Sequence, residues 1–333
     1  MREQMKPAIR MPSWLLAAAL AVVTMIPVGA AQAQAGYPDK PIRMVVPFPP
    51  GGAVDILGRL VAQHIGQQMN QSVIVENRSG ANGSVGNEAA AKAPADGYTI
   101  LLGANGLATN VALYPKRPFS ELKSLTPIAY VGSSPLIMMV PANSPAHALK
   151  DIVDAAKADP NRISYASAGP GSSAHLGSEL LKYVTKTSML HVPYKGGAPA
   201  IVDLTAGRVD FMLLDPVQGL SQLQSGRLRG LVVASKERLP LVKDVPSAAE
   251  AGFPEFEASV WWGFMAPKGT PPEIVNRLNA EINKALTNPD AQKVLAGMGV
   301  TTKPGTPEDF GKYLDAEAAK WSTVIKSANI TAD

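Results

Sequence analysis

Short apolar runs alternate along this chain with longer stretches in which apolar residues recur every three or four positions. The runs at 42–46, 72–76, 99–103, 128–131, 137–140, 163–166, 189–192, 211–214, 231–234 and 259–265 have strand length and strand composition. Helical spacing is read at 53–69, 84–92, 149–158, 174–185, 199–206, 219–225 and 247–251, and the tail from residue 272 reads as helix in three pieces. Ile56, Leu60 and Ile65 mark the expected buried face of the first helix; Ile274, Leu278, Ile282 and Leu286 mark that of the tail. Pro272 falls in a first turn, where its missing N–H costs nothing. Strand and helix in regular alternation predict an α/β fold, a mostly parallel sheet covered by helices.

The first 35 residues stand outside that pattern. Arg2, Lys6 and Arg10 give a positive start, an apolar stretch follows from Trp14, and Ala31, Ala33 and Ala35 supply the small residues a signal peptidase reads. The apolar stretch is short and broken by Pro27, which argues against a membrane anchor. Export with cleavage near Ala35 is therefore expected, with a periplasmic product. No later stretch has the length and apolarity of a membrane span, and about 300 residues can build two packed domains.

Composition removes several function classes. The chain has no cysteine, so disulfide staples and thiolate metal sites are excluded. Its formal charge of +4 falls to +2 once Arg2, Lys6, Arg10 and Glu3 leave with the leader. Lys and Arg are scattered rather than clustered with aromatics, so no nucleic-acid partner is expected. A monomer is expected.

The chemistry concentrates in strand–turn–helix joints. Residues 44–59 read MVVPFPPGGAVDILGR: an apolar run, a Pro-Pro-Gly-Gly break, then a helix whose first turn carries Asp55. Backbone N–H groups at such a helix start have no intrahelical acceptor, and the helix dipole favours a carboxylate or phosphate there. Residues 163–181 (ISYASAGPGSSAHLGSELL) repeat the arrangement, with Ser172 and Ser173 at the cap. Two such starts in different halves of one chain suggest a clamp.

Other readings of the second joint are weaker. Gly169 to Ala174 fit the Gly-x-Gly-x-x-Ala form of the dinucleotide fingerprint, but residues 189–194 lack the ribose-binding acid, so no cofactor is expected. An exported serine hydrolase using Ser172 or Ser173 with His175 is the rival. Against it, the nucleophile-elbow pattern is missed, since His175 stands near the place of its second glycine, and no acid is placed to orient that histidine. His64, His147, His175 and His191 have no metal-ligand spacing, so no metal is expected.

Further along, residues 191–198 (HVPYKGGA) end a strand at Tyr194 and Gly196, where a hydroxyl and close backbone approach could serve a ligand. Asp215 closes the strand 211–214, either as a ligand contact at a strand's carboxyl end or as the N-cap of the next helix. Residues 77–86 (NRSGANGSVG) read as a turn, and of Trp261 and Trp262 at least one should be core.

Taken together, residues 37–59, 77–86, 96–99 (DGYT), 165–176, 191–198, 245–252 (VPSAAEAG) and 262–267 (WGFMAP) resemble the Bug family, the periplasmic solute-binding proteins of tripartite tricarboxylate transporters. The likeness runs over essentially the whole mature chain. It implies a type II periplasmic-binding-protein fold: two α/β lobes joined by two crossing strands and closing on a small organic carboxylate, which is handed to a membrane permease. Lobe 1 would comprise 36–135 plus 263–333 and lobe 2 residues 136–258, with crossovers at 137–140 and 259–262. The ligand carboxylate would be held by Phe48, Pro50, Gly51, Gly52, Ala53 and Asp55 from one loop and by Ser167, Gly169, Ser172, Ser173 and His175 from the other. Asn105, Tyr194, Gly196 and Asp215 would lie toward its far end. The chain departs from the family at Thr185-Lys186-Thr187, where a glycine is usual, and at residues 103–106 (GANG) near the pocket. Such a receptor has no catalytic residues; a sensing module with the same pocket is the remaining alternative.

Overall fold

The computed structural model describes residues 36–330. The expected leader and its cleavage point lie outside them. The compact unit begins at Lys40, and all that follows concerns it.

Two sheets organise the chain. The first contains β1 (Ile42–Val46), β2 (Val73–Asn77), β3 (Thr99–Ala104), β4 (Leu125–Pro135), β10 (Ser259–Pro267) and β11 (Thr301–Thr302), in the order β11-β4-β10-β3-β1-β2. The second contains β5 (Ile137–Pro141), β6 (Ser164–Ser167), β7 (Leu190–Pro193), β8 (Phe211–Leu214) and β9 (Leu228–Val233), in the order β7-β6-β8-β5-β9. β1 pairs in parallel with β2 and β3, and β6 with β7 and β8. The sheets are nevertheless mixed, because β10 runs antiparallel to β3 and β4, and β5 antiparallel to β8 and β9. Passing from one sheet to the other and back brings in strands of opposite sense.

The chain crosses between sheets at Leu136 and returns at Ala258. Leu136 N–H donates to Ala258 O at 2.9 Å, and Ala234 closes the junction by donating to Leu136 O and accepting from Ala258 N–H. Residues 137–140 were expected to cross; they form β5 inside the second sheet, where its strand positions are fully buried.

Helices cover both sheets: α1 (Ala53–Met69), α2 (Ser84–Ala91), α3 (Gly106–Leu113), α4 (Glu121–Ser124), α5 (Leu149–Ala158), α6 (Ser173–Thr185), α7 (Gly197–Thr205), α8 (Pro216–Gln224), α9 (Pro272–Leu286), α10 (Pro289–Gly297) and α11 (Pro307–Ser327). Of the expected inner face of α1, only Ile65 faces the core. Ile56 is exposed and Leu60 half-buried, while Leu57, Val61 and Ile65 are fully buried, each worth about 1.5–3 kcal/mol of transfer free energy. Three and four residues of spacing describe two neighbouring faces of α1, and only the sheet beneath selects one. In α9 the choice holds: Ile274, Leu278, Ile282 and Leu286 are all buried.

No helix forms at 247–251. Ser247 bridges to Val233 and caps a single turn through Glu250 and Ala251, which ends where Gly252 takes φ +86°. Conversely α3 and α4 lie in segments without a sequence assignment. Lys186 closes α6 in the left-handed region at φ 53°.

Apolar cores form around both sheets. Met138, Tyr165, Leu181 and Phe211 belong to the core around the second sheet; Val45, Leu101, Leu107 and Trp261 belong to one around the first. The tail divides between them. Phe310 and Leu314 of α11 enter the first, whereas Trp321, Val324 and Ile325 of the same helix, with Ile330, enter the second. Glu317, midway, accepts the indole N–H of both Trp261 and Trp321 at 3.0 and 2.8 Å. Twenty-one helical residues span about 30 Å, enough to reach both cores. Among the described residues, no helix is long and apolar enough to cross a membrane.

Candidate functional site

Several helix N-termini meet at one cavity of about 620 Å3. The start of α1 brings Phe48, Pro50, Gly51, Gly52 and Ala53; that of α6 brings Ser172, Ser173 and Ala174; that of α7 brings Gly196, Gly197 and Ala198; that of α8 brings Asp215 and Gln218. Asn82, Asn105, Leu136, Val260 and Trp262 complete the wall around them. Among the described residues, no Lys, Arg or His lines it.

The first two turns present their backbone donors differently from an ordinary capped helix. Gly52 is the N-cap of α1 and has no side chain to cover the amides of Ala53 and Val54, which are left without an intrahelical acceptor. Gly196 stands likewise before Gly197 and Ala198 of α7. At α6, Ser172 Oγ accepts the His175 N–H at 3.3 Å, while the amides of Ser173 and Ala174 face no intrahelical acceptor. Open donors at the positive ends of helix dipoles are an anion site that needs no cationic side chain.

Asp55 serves that loop from behind. It is buried, does not line the cavity, and accepts Gly51 N–H at 3.0 Å, Arg59 Nε at 3.0 Å and Asn77 Nδ2 at 2.9 Å. Asn77 Nδ2 also donates to Phe48 O at 3.0 Å. The carboxylate thus ties both ends of the Pro-Pro-Gly-Gly turn to the helix that follows. The Arg59 guanidinium, aided by Gly51 and Asn77, outweighs burial and lowers its pKa to about 2. Residue spacing could not distinguish this role from ligand contact.

The second loop is braced in a similar way. His175 Nδ1 accepts Gly171 N–H at 3.1 Å, and His191 Nε2 pairs with Ser167 Oγ at 2.7 Å. Ser167 Oγ in turn accepts Gly169 N–H at 3.1 Å. Burial is the main cause that lowers both histidines, His175 to about 3. Ser167, Gly169 and His175 do not line the cavity; they shape the turn that does. Tyr194 also lies outside the lining, and its hydroxyl donates to Asp203 at 2.7 Å. Asn105 lines the wall, but its amide is spent on β10, donating to Ser259 O at 2.9 Å and accepting Trp261 N–H at 3.1 Å.

Asp215 combines the two roles weighed for it. It lines the cavity and caps α8, with Oδ1 accepting Gln218 N–H at 3.0 Å and Pro216 at the first helical position. Burial pushes its carboxyl above the usual carboxylate value, against the pull of the Gln218 donors.

Three lining residues had no sequence signal of their own. Asn82 sits in the glycine-rich turn 77–86 with φ 49°, and its Nδ2 donates to Asn110 Oδ1 at 3.1 Å and, from the facing loop, to Gly171 O at 3.4 Å. Gln218 lies one turn into α8, and Trp262 looked like core. For Asn82, an asparagine among glycines was the available hint, since both tolerate positive φ.

The sequence profile described as "Tripartite tricarboxylate transporter family receptor" matches residues 57–330. The chain belongs to that receptor family. Among its relatives, BugT of Bordetella pertussis is 38% identical over 292 residues, 87% of this chain and 90% of BugT. The protein encoded in the tcbD-tcbE intergenic region of a Pseudomonas species is 40% identical over 304 residues, 91% of this chain and 90% of its own. Among solved structures, an R. palustris protein with adipate superposes with a TM-score of 0.79 at 34% identity, covering 89% of this chain and 99% of that one. MatC from Rhodopseudomonas palustris, with bound malate, gives 0.77 at 31%, covering 87% and 100%. Members of this receptor family are solute-binding proteins with the type II two-lobed fold, and the serine-hydrolase reading of Ser172, Ser173 and His175 is set aside. The geometry agrees, because His175 spends Nδ1 on Gly171 and its ring on His191.

Proposed function

We propose that this protein is an exported, periplasmic receptor that captures a small organic carboxylate between two lobes and delivers it to a membrane permease of the tripartite tricarboxylate transporter type. The observation that carries this reading is the set of helix starts with open first amides at Gly52, Ser172 and Gly196 around one cavity that, among the described residues, no cationic side chain lines. Adipate and malate, present in the two R. palustris structures, are carboxylates of a size such a cavity holds. Neutral donors bind an anion without the grip of a buried ion pair, which suits a receptor that must also release its cargo.

In this reading the lobes are built on the two sheets and hinge at Leu136 and Ala258, with α11 lying along both. A ligand favours closure only through its greater affinity for the closed form, so contacts from α1 on one side and α6 to α8 on the other are required. Gly51, Gly52 and Ala53 would hold one face of the carboxylate and Ser172 and Ser173 the other, with Asp55, Ser167, Gly169 and His175 holding the loops. Thermal denaturation against a panel of mono-, di- and tricarboxylates tests the assignment, because a ligand of the native state alone raises Tm. A carboxylate that binds and also stimulates uptake by the reconstituted permease supports transport; binding with no effect on uptake favours the sensing alternative. A panel that leaves Tm unchanged overturns the receptor reading.

A further inference from the structure

Among the described residues, Asp215 is the one titratable side chain that lines the cavity. It is buried, and its two oxygens face Gln218: Oδ1 accepts the backbone N–H and Oδ2 accepts the side-chain Nε2. A carboxylate bonded in this way only accepts, so it decides how the Gln218 amide is turned. The NH2 group points at Asp215, and Oε1 is left for the cavity side.

Gly197 confirms where that oxygen lies. A Cβ on Gly197 would stand 2.4 Å from Gln218 Oε1, so the oxygen rests directly over a residue that also lines the cavity. The amide can occupy this place only because residue 197 has no side chain. Across the cavity the start of α1 offers open backbone donors, while the starts of α6 and α7 offer theirs on the same side as α8. Asp215 and Gln218 Oε1 therefore form a fixed acceptor pair at the start of α8, facing the backbone donors of α1.

We propose that Gln218, oriented by Asp215, is a specificity-determining residue that selects carboxylates whose far end carries a hydrogen-bond donor, a hydroxyl or ammonium group, over plain dicarboxylates. A second carboxylate placed there would meet the Gln218 oxygen and the Asp215 charge with no proton to share, and acceptors brought face to face when the cavity closes go unpaired. This inference rests on the carboxylate-receptor reading and names the ligand class for the same cavity.

The test is calorimetric titration of matched acids of three to six carbons, each chain length represented by the dicarboxylate, the ω-hydroxy acid and the ω-amino acid. The native protein is expected to bind a hydroxy or amino acid at least tenfold more tightly than the dicarboxylate of equal length. Asp215→Asn keeps the cap, because asparagine caps helices as well as aspartate does. Its amide can donate as well as accept, which frees Gln218 to turn its NH2 outward, so the preference should shrink at least tenfold or invert. Gln218→Leu, which removes the acceptor and leaves Asp215 in place, should also shrink it. A native protein that binds the dicarboxylate equally or better, or a preference unchanged in both variants, overturns the proposal while leaving the receptor reading intact. If the native protein binds none of these acids and no member of the wider carboxylate panel, the receptor reading falls and this inference with it.

Discussion

The imidazole rings of His175 and His191 lie face to face, 3.9 Å between centroids and 10° from parallel. Tyr165 lies beside both rings, 4.9 Å from His191 and 6.3 Å from His175 between centroids, Glu179 accepts hydrogen bonds from the Tyr165 hydroxyl and the Lys182 ammonium, and both histidines brace the loop 167–172 from behind. Two stacked imidazoles cannot both carry charge at this distance, and burial already disfavours the first proton.

Acid should therefore loosen this lobe first. Both folded pKa values lie below the unfolded value near 6.5, with His175 at about 3. Below that unfolded value the denatured chain binds more protons than the native one. Stability is thus fully present above about pH 6.5 and falls as pH drops, by up to about 1.4 kcal/mol per pH unit for His175, with His191 acting in the same direction. Urea midpoints measured from pH 7.5 to 4.5 should follow this slope, and His175→Gln should flatten it by one proton. A variant with the native slope would remove His175 from the account.

Asp55 should matter for binding without touching the ligand. Asp55→Ala leaves Gly51 N–H, Arg59 and Asn77 without their shared acceptor, a loss of about 1–3 kcal/mol in stability. Affinity for the carboxylate should fall as well, because the turn carrying Gly51 and Gly52 is released. Its own pKa, lowered to about 2 from 3.8, contributes stability that is present above about pH 4 and is lost as pH falls toward 2. Chemical denaturation and titration on one variant check both effects.

Two glycines near the cavity should separate binding from folding. At Gly52, φ is −81° and a Cβ would meet only Pro49 O at 3.7 Å. Gly52→Leu should keep Tm within a few degrees of native while abolishing measurable binding, because the side chain enters the cavity. At Gly106, a Cβ would stand 2.3 Å from Asn82 O. Gly106→Ala should lower stability by about 1–3 kcal/mol, as overpacked sites do. Binding retained in Gly52→Leu would displace this loop from the site.

Lys186 invites a stabilising change. Its left-handed conformation at the end of α6 strains any residue with a Cβ, so Lys186→Gly should raise stability by about 0.5–1 kcal/mol at unchanged affinity. An unchanged or lowered denaturation midpoint would show that the Lys186 side chain has a stabilising role of its own.

The end of α11 should behave as part of the second lobe. Trp321→Ala empties a site in its core and should cost about 3–5 kcal/mol. Hydrogen exchange should accelerate in β6 and β8 more than in β1 and β3. The opposite ranking would return the whole tail to the first lobe.

The sequence by itself determined the strand–helix alternation, the exact extents of β1, β8, α1 and α5, and the two glycine-rich helix starts, because these depend on local spacing and on turn chemistry within a few residues. It also determined the family, through motifs spread along the chain. Only the tertiary structure decided which face of α1 is buried, since Ile56 and Leu57 are equally apolar and the sheet chooses between them. Only the tertiary structure separated Asp55, His175 and Tyr194, whose side chains are spent on Gly51, Gly171 and Asp203, from Asn82 and Gln218, which reach the cavity. The physical reason is the same in each case. A polar side chain bonds whatever the fold brings within 3 Å of it, and those partners come from segments that no local pattern joins.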